Sequence, residues 1–243
     1  MRTAICSTNR SLQESIQGDG YAFVHGSAMR ELLKPCGSLA DWPAFADSWD
    51  ALELDTYMAD GGRYRRRRYA TLSVAPGATV ATLEAHQPHY QSLDYNNLNG
   101  GIARHFEPIR EDILEGESMS ALLALCIEVF GSLLPGRAWH LEVHQFRIEA
   151  GTAHQGMPTP EGIHRDGVNY VMVLMVKRQN IAEGTTTIHD AGGKQIASFT
   201  LAAPLDLTLV DDERCLHGVT PVVPIDATKP AYRDVLVITF RAK

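Results

Sequence analysis

The chain has 243 residues, a net charge of −7, 44% hydrophobic and 21% charged residues. That is ordinary for a soluble globular protein, and no run approaches the roughly 18 apolar residues of a membrane span. The acidic balance argues against general nucleic-acid affinity, and Cys6, Cys36, Cys126 and Cys215 lack the spacing of a zinc finger or a disulfide framework. The N-terminal MRTAICSTNRSLQES has no apolar signal core, so the expectation is a cytoplasmic protein with reduced thiols.

The first 60 residues read as mainly helical. A helix is expected over about 8–17, ending at Gly18-Asp19-Gly20, with the strand-like YAFVHG after it. A second starts near Ser27 and stops at Pro35. Asp41-Trp42-Pro43 opens a third, with Pro in the first turn and Asp41 as its cap. RYRRRRYA at 63–70 reads as a strand, so alternation separates Arg65 and Arg67 from Arg66 and Arg68. Its plainest reading is one solvated arginine face. One inward pair could instead hold a small anion, and single-stranded nucleic acid is the third reading. SMSALLALCIEVFGSLL (118–134) is the clearest helix, with Leu122, Leu125, Cys126, Val129, Phe130 and Leu133 on one stripe.

After residue 138, short runs rich in Val, Ile, Leu and Thr alternate with turn clusters. Strands are expected near 139–149, 168–177, 184–189, 194–200, 205–210, 215–221 and 232–241, plus a short piece leading into His164. About eight strands in this span is the arithmetic of a jelly roll. The expected fold is α+β and mainly β: one domain over 1–243, with a mainly helical part (1–135, with a few strands) packed outside a jelly-roll core (136–243).

GIHRDGVNYVMVLM (162–175) places His164 and Asp166 two apart between glycines, ahead of an apolar strand. In extended chain these side chains point to one side. His217, in DDERCLHGVTP, is the candidate third member on a late strand of the same β region. Two histidines and one carboxylate with open positions match the facial triad of non-haem Fe(II) oxygenases. Arg233 opens the last strand, YRDVLVITF, where a guanidinium suits two-point grip on a carboxylate. An HRD followed at once by Gly167 and an apolar strand, with no GxGxxG loop, is not a kinase catalytic loop.

HRDG, LHGVTP and the closing-strand arginine together resemble the Fe(II)/2-oxoglutarate-dependent dioxygenases, and specifically the small bacterial isoleucine and leucine hydroxylases. PTPEGIHRDG, RQNIAEGTTTIHD, LVDDERCLHGVTP, YRDVLVITFR, RYRRRRY and SLDYNNLNGGIARHFEPI carry the likeness over most of the chain after about residue 60. The resemblance implies a double-stranded β-helix with Fe(II) held by His164, Asp166 and His217. It implies Arg233 on 2-oxoglutarate, O2 as oxidant, and hydroxylation of a free or lightly modified amino acid with release of succinate and CO2. Val235 stands where some dioxygenases have a serine, so a second contact to 2-oxoglutarate is sought at Gln145 or Tyr170. Arg67, Tyr95, Asn96, Arg104 and Arg147 are the candidate substrate residues. The competing reading is a cupin-like metal-binding jelly roll without oxygenase activity. The other histidines are given no metal role: His140 and His144, four apart on a strand, are more than roughly 10 Å apart along it and are assigned to packing or solvent, and His86 and His89 flank Pro88 in a loop that is expected to be exposed, with the pocket mouth as the alternative. Cys215 is expected to pack beside His217. The expected partner is a small molecule, with no nucleic acid and no membrane; a homo-oligomer is left open.

Overall fold

The computed structural model describes residues 2–152 and 154–243, with side chains from residue 11 onward; the side chain of Cys6 lies outside the described residues. In chain order the elements are α1 (Arg2–Asp19), β1 (Tyr21–Val24), α2 (Gly26–Leu33), α3 (Trp42–Asp47), β2 (Glu53–Leu54), β3 (Arg65–Val74), β4 (Thr82–Leu83), α4 (Glu111–Leu114), α5 (Glu117–Leu133), β5 (Trp139–Ala150), β6 (Tyr170–Gln179), β7 (Ile181–Glu183), β8 (Thr186–Asp190), β9 (Gln195–Phe199), β10 (Leu207–Asp211), β11 (Cys215–Val219), β12 (Val222–Pro224) and β13 (Ala231–Ala242). No helix among the described residues is long and apolar enough to cross a membrane.

The strands form a large antiparallel sheet of order β1-β10-β6-β13-β5-β3-β2, with β4 added to β3. Two smaller sheets, β11-β8-β9 and β12-β7, complete a jelly-roll-type core. β1 and β3 extend the large sheet at both sides, so the first 135 residues contribute to its walls as well as to the helices. The piece before His164 is shorter than the expected strand: it is a single bridge between His164 and His217.

Both faces of the large sheet are covered, and alternation sorts each strand's residues between them. On the outer face Leu141 and Val143 of β5, Met172 and Leu174 of β6, and Leu236, Ile238 and Phe240 of β13 meet Met119, Leu122, Leu125, Val129 and Phe130 of α5, with Ile16 of α1 and Met29 and Leu33 of α2 in the same cluster. Each such fully buried side chain contributes about 1.5–3 kcal/mol. That accounts for α5 being apolar nearly all round rather than on one stripe.

Of two local expectations, the end of the first helix holds and the Asp41 cap does not. α1 ends at Gly20, whose φ is +80° and whose N–H donates to Ile16 O at 3.0 Å, a turn that a side chain resists. Asp41 precedes α3 but makes no cap there. Its carboxylate instead accepts from the backbone N–H (2.9 Å) and hydroxyl of Ser118, in the first turn of α5. A short acidic side chain favours a helix N-terminus, but the sequence does not say which one.

Candidate active site

The inner face of the large sheet and the small sheets enclose a cavity of about 290 Å³. Inward residues come from alternate positions: Arg65 and Arg67 on β3, His140, Glu142, His144, Phe146 and Ile148 on β5, Val171 and Val173 on β6, and Arg233, Val235, Val237 and Thr239 on β13. The loops 89–104 and 158–168 and residues His217 and Val219 of β11 close it.

His164 and His217 exchange backbone hydrogen bonds at 2.9 Å in both directions, so the His-x-Asp loop is stitched to β11. The Nε2 atoms of His164 and His217 lie 3.7 Å and 3.5 Å from the two oxygens of Asp166. One ligand atom from each of the three falls within 4.8 Å of the others. His164 Nδ1 donates to Gly162 O at 3.0 Å, which turns Nε2 toward the cavity. Electrostatics match a cation site. Burial opposes charge on His164, but Asp166 and Glu161 outweigh it and raise its pKa to about 9. Burial, reinforced by His164, holds His217 down at about 4. Burial works against the Asp166 charge, yet the two imidazoles keep its carboxyl below the usual range. Without metal, a proton on His164 supplies the positive charge; two neutral imidazoles and a carboxylate are the donor set of a divalent iron.

Asp212 was invisible as a functional residue in the sequence. It is buried, and its carboxylate accepts the backbone N–H groups of Asp166 (3.0 Å), Gly167 (2.8 Å) and Val168 (3.1 Å). It therefore fixes the loop that aims Asp166; burial and the Asp166 charge push its carboxyl up to about 7. Its only sequence signal is its place in DDERCLHG, five residues before His217. Gly167 has φ +79°, and a Cβ there would sit 2.5 Å from the Tyr95 ring. That ring, partly exposed at the cavity mouth, packs directly on the loop.

Arg233 faces the cavity, is 2% exposed, and its Nε has no hydrogen-bond partner. Burial and the neighbouring Arg178 lower its pKa to about 10, which leaves it charged at neutral pH. Among the described residues no carboxylate pairs with it. A buried guanidinium without a counter-ion is costly, and an anionic ligand would relieve that cost.

The two residues proposed to assist Arg233 point the other way. Gln145 is on the outer parity of β5 and donates to Ser48 Oγ at 2.8 Å. Tyr170 is on the outer parity of β6 and stacks on Phe130, with centroids 4.7 Å apart. Arg147 fails as a substrate residue for the same reason: its fork donates from Nε and one terminal nitrogen to the two oxygens of Asp234, each at 2.7 Å. The sequence carried the warning, because Trp139, Leu141 and Val143 share the parity of Gln145 and Arg147.

The other substrate candidates do reach the cavity. The Arg67 guanidinium lies between the rings of Phe106 (3.7 Å) and Phe146 (4.5 Å). Arg104 is 2% exposed, and the Nε atoms of both arginines lack partners. Arg66 and Arg68 turn outward, to Glu149 and to the carbonyls of Ala51 and Pro108. The arginine run is thus split between a solvated face and a cavity face. Asn96 lies in the wall, but its amide braces Gln91 (3.0 Å) and accepts from Asn99 N (2.7 Å). Gln91 in turn donates to Asp166 O at 3.2 Å.

His140 and His144 are buried, but on the cavity side, and His89 takes the pocket-lining alternative. His140 and His144 face the cavity on either side of Glu142, and His89 is buried, with its Nδ1 3.1 Å from Glu142 Oε2. His89, Glu142 and His144 also bring ligand atoms within 4.8 Å of one another. Arg67 argues against a second metal there. It can only donate, so its 2.7 Å contact makes His144 Nδ1 the acceptor and leaves the proton on Nε2, facing Glu142.

The jelly-roll-type core, the His/Asp/His group and the unpaired inward arginine together describe a non-haem iron oxygenase. Residues 46–239 match the 2OG-Fe dioxygenase family model, and the chain belongs to that family, which uses Fe(II), 2-oxoglutarate and O2. It is 26% identical over 196 residues to an L-isoleucine-4-hydroxylase of Bacillus thuringiensis, covering 79% of each chain. It is 25% identical over 230 residues to a 3(1)-hydroxy-L-isoleucine 4-dioxygenase of Pantoea ananatis (strain AJ13355), covering 91% of this chain and 92% of that one. The solved structure of a bsmA homologue from Methylobium petroleophilum PM1 is 35% identical and superposes with a TM-score of 0.86, covering 96% of this chain and 92% of that one.

Proposed function

We propose that the chain hydroxylates a free or lightly modified amino acid, as a single domain in which His164, Asp166 and His217 hold Fe(II) and Arg233 holds the distal carboxylate of 2-oxoglutarate. The observation that carries the reading is one cavity containing a 2-His-1-carboxylate group and a buried arginine with no carboxylate partner. The amino-acid class is supported by the two isoleucine-oxidising relatives and by the inward guanidinium groups of Arg67 and Arg104, which suit a substrate carboxylate.

Iron with 2-oxoglutarate supplies the oxidising chemistry, releasing succinate and CO2 while one oxygen atom enters the substrate. The chain's own residues do the positioning. The Gly162 carbonyl and the Asp212 carboxylate hold the His164 ring and the Asp166 backbone. Val171, Val173, Val235 and Val237 make the wall between the charged ends apolar, which excludes water and suits an aliphatic side chain. Tyr95 closes over the loop at the mouth. His164, Asp166 and His217 would hold the iron and would leave positions on it for cosubstrate and oxygen.

Anaerobic addition of 2-oxoglutarate to the Fe(II)-loaded protein should produce a visible charge-transfer band. Asp166→Ala should abolish it. Arg233→Ala should raise the 2-oxoglutarate concentration needed by at least about tenfold, the loss of one charge-assisted contact, with iron affinity unchanged. No band from folded, iron-loaded wild type would refute the assignment of the site.

A further inference from the structure

Glu161, three residues before His164, has figured so far only as a negative charge beside that histidine. Its side chain is 10% exposed, lies beside His164 and lines the same cavity as Arg67 and Arg104. Oε1 lies 3.4 Å from His164 Nε2, and Oε2 is buried with no hydrogen-bond partner. With iron bound, His164 Nε2 would be a ligand and would have no proton to offer Glu161. A carboxylate nine-tenths buried with no donor is costly, and a cation that reaches it relieves that cost.

We propose that Glu161 receives the α-ammonium of the substrate while Arg67 and Arg104 take its carboxylate, so that the cavity selects an unmodified primary amine. This deepens, and rests on, the amino-acid reading above. Two observations favour the ammonium over other cations. A fourth protein ligand on iron would fill a position that the family's reaction needs open for 2-oxoglutarate or O2. Arg104, although it feels the Glu161 charge, makes no ion pair with it and keeps its own Nε unpartnered. A zwitterion inserted between the two satisfies both.

The test is calorimetric binding of the L-amino acids, and of the 2-hydroxy acids matching those that bind, to anaerobic Fe(II)/2-oxoglutarate protein. Wild type should prefer an amino acid over its 2-hydroxy acid by about ten- to a hundredfold, the range for a charge-assisted contact. Glu161→Gln should erase that preference while iron affinity and the charge-transfer band persist, and Glu161→Asp should restore part of it. Wild type binding an amino acid with Glu161→Gln unchanged would overturn the inference and leave the amino-acid reading intact. Iron affinity falling in Glu161→Gln as far as in Asp166→Ala would overturn it in favour of a metal ligand. Wild type with the band but no amino-acid binding would refute the amino-acid reading, and this inference with it.

Discussion

Replacing Arg147 with Met separates a structural arginine from a substrate arginine. Asp234 is 0% exposed, and its carboxylate receives both arms of the Arg147 fork at 2.7 Å. The guanidinium also lies 4.1 Å from the Tyr232 ring centroid and contacts Asp50, which is 59% exposed. The exposed Asp50 pair is worth at most about 1 kcal/mol. The main loss is the uncompensated Asp234 charge, for which breaking a buried pair costs about 3–5 kcal/mol. In a chain of this size that corresponds to a fall in Tm of about 6–20 °C. Urea denaturation of wild type and Arg147→Met measures it, and the substrate KM of the folded variant should stay near wild type. Burial already raises the Asp234 pKa; without Arg147 it rises further above its unfolded value. The variant's deficit should therefore be largest at neutral pH and shrink as pH falls through the folded pKa, where the carboxyl becomes neutral. Arg147→Met/Asp234→Leu should recover most of the loss, since an apolar pair of similar volume leaves no buried charge. A stability change below about 1 kcal/mol, accompanied by a raised substrate KM, would refute this account and return Arg147 to the substrate site.

Two further perturbations probe the loop that carries Asp166. Asp212→Asn keeps the shape but turns an N–H toward one of three backbone donors, so iron affinity should fall about ten- to a hundredfold in a chelator competition; a change within twofold would mean that the clamp does not matter. Gly167→Ala should cost at least about 1–2 kcal/mol for its left-handed φ and raise substrate KM by displacing Tyr95, as read by denaturation and steady-state kinetics; wild-type values for both would show that the ring is not braced there.

Much of the site was legible because its spacing is local or its chemistry is rare. His164 and Asp166 two apart, a distant His217 and a lone Arg233 at the head of an apolar strand have few other uses. The alternation of β3 correctly divided Arg65 and Arg67 from Arg66 and Arg68. α5 and most of the strands after residue 138 followed from apolar runs between turn residues, while the three-residue β7 and β12 did not. The misplacement of Gln145, Arg147 and Tyr170 has one physical cause. β5, β6 and β13 are buried on both faces, so burial alone does not tell the cavity face from the helix face. Parity had to be anchored by a neighbour of known direction. Trp139, Leu141 and Val143 would have sent Gln145 and Arg147 outward, while the polar His140, Glu142 and His144 mark the cavity side.

What the sequence determined by itself is the set of elements and the kind of chemistry: a helical stripe, alternating strands, and a metal-ligand pattern whose residue types admit little else. What only the tertiary structure decided is how the acidic residues are spent. Asp41 caps α5 rather than α3, Asp212 clamps the His-x-Asp loop, Asp234 binds Arg147, and Glu161 stands unpaired in the cavity. A carboxylate's role depends on which donor comes within about 3 Å, and those donors come from distant segments that only the closed sheet brings together.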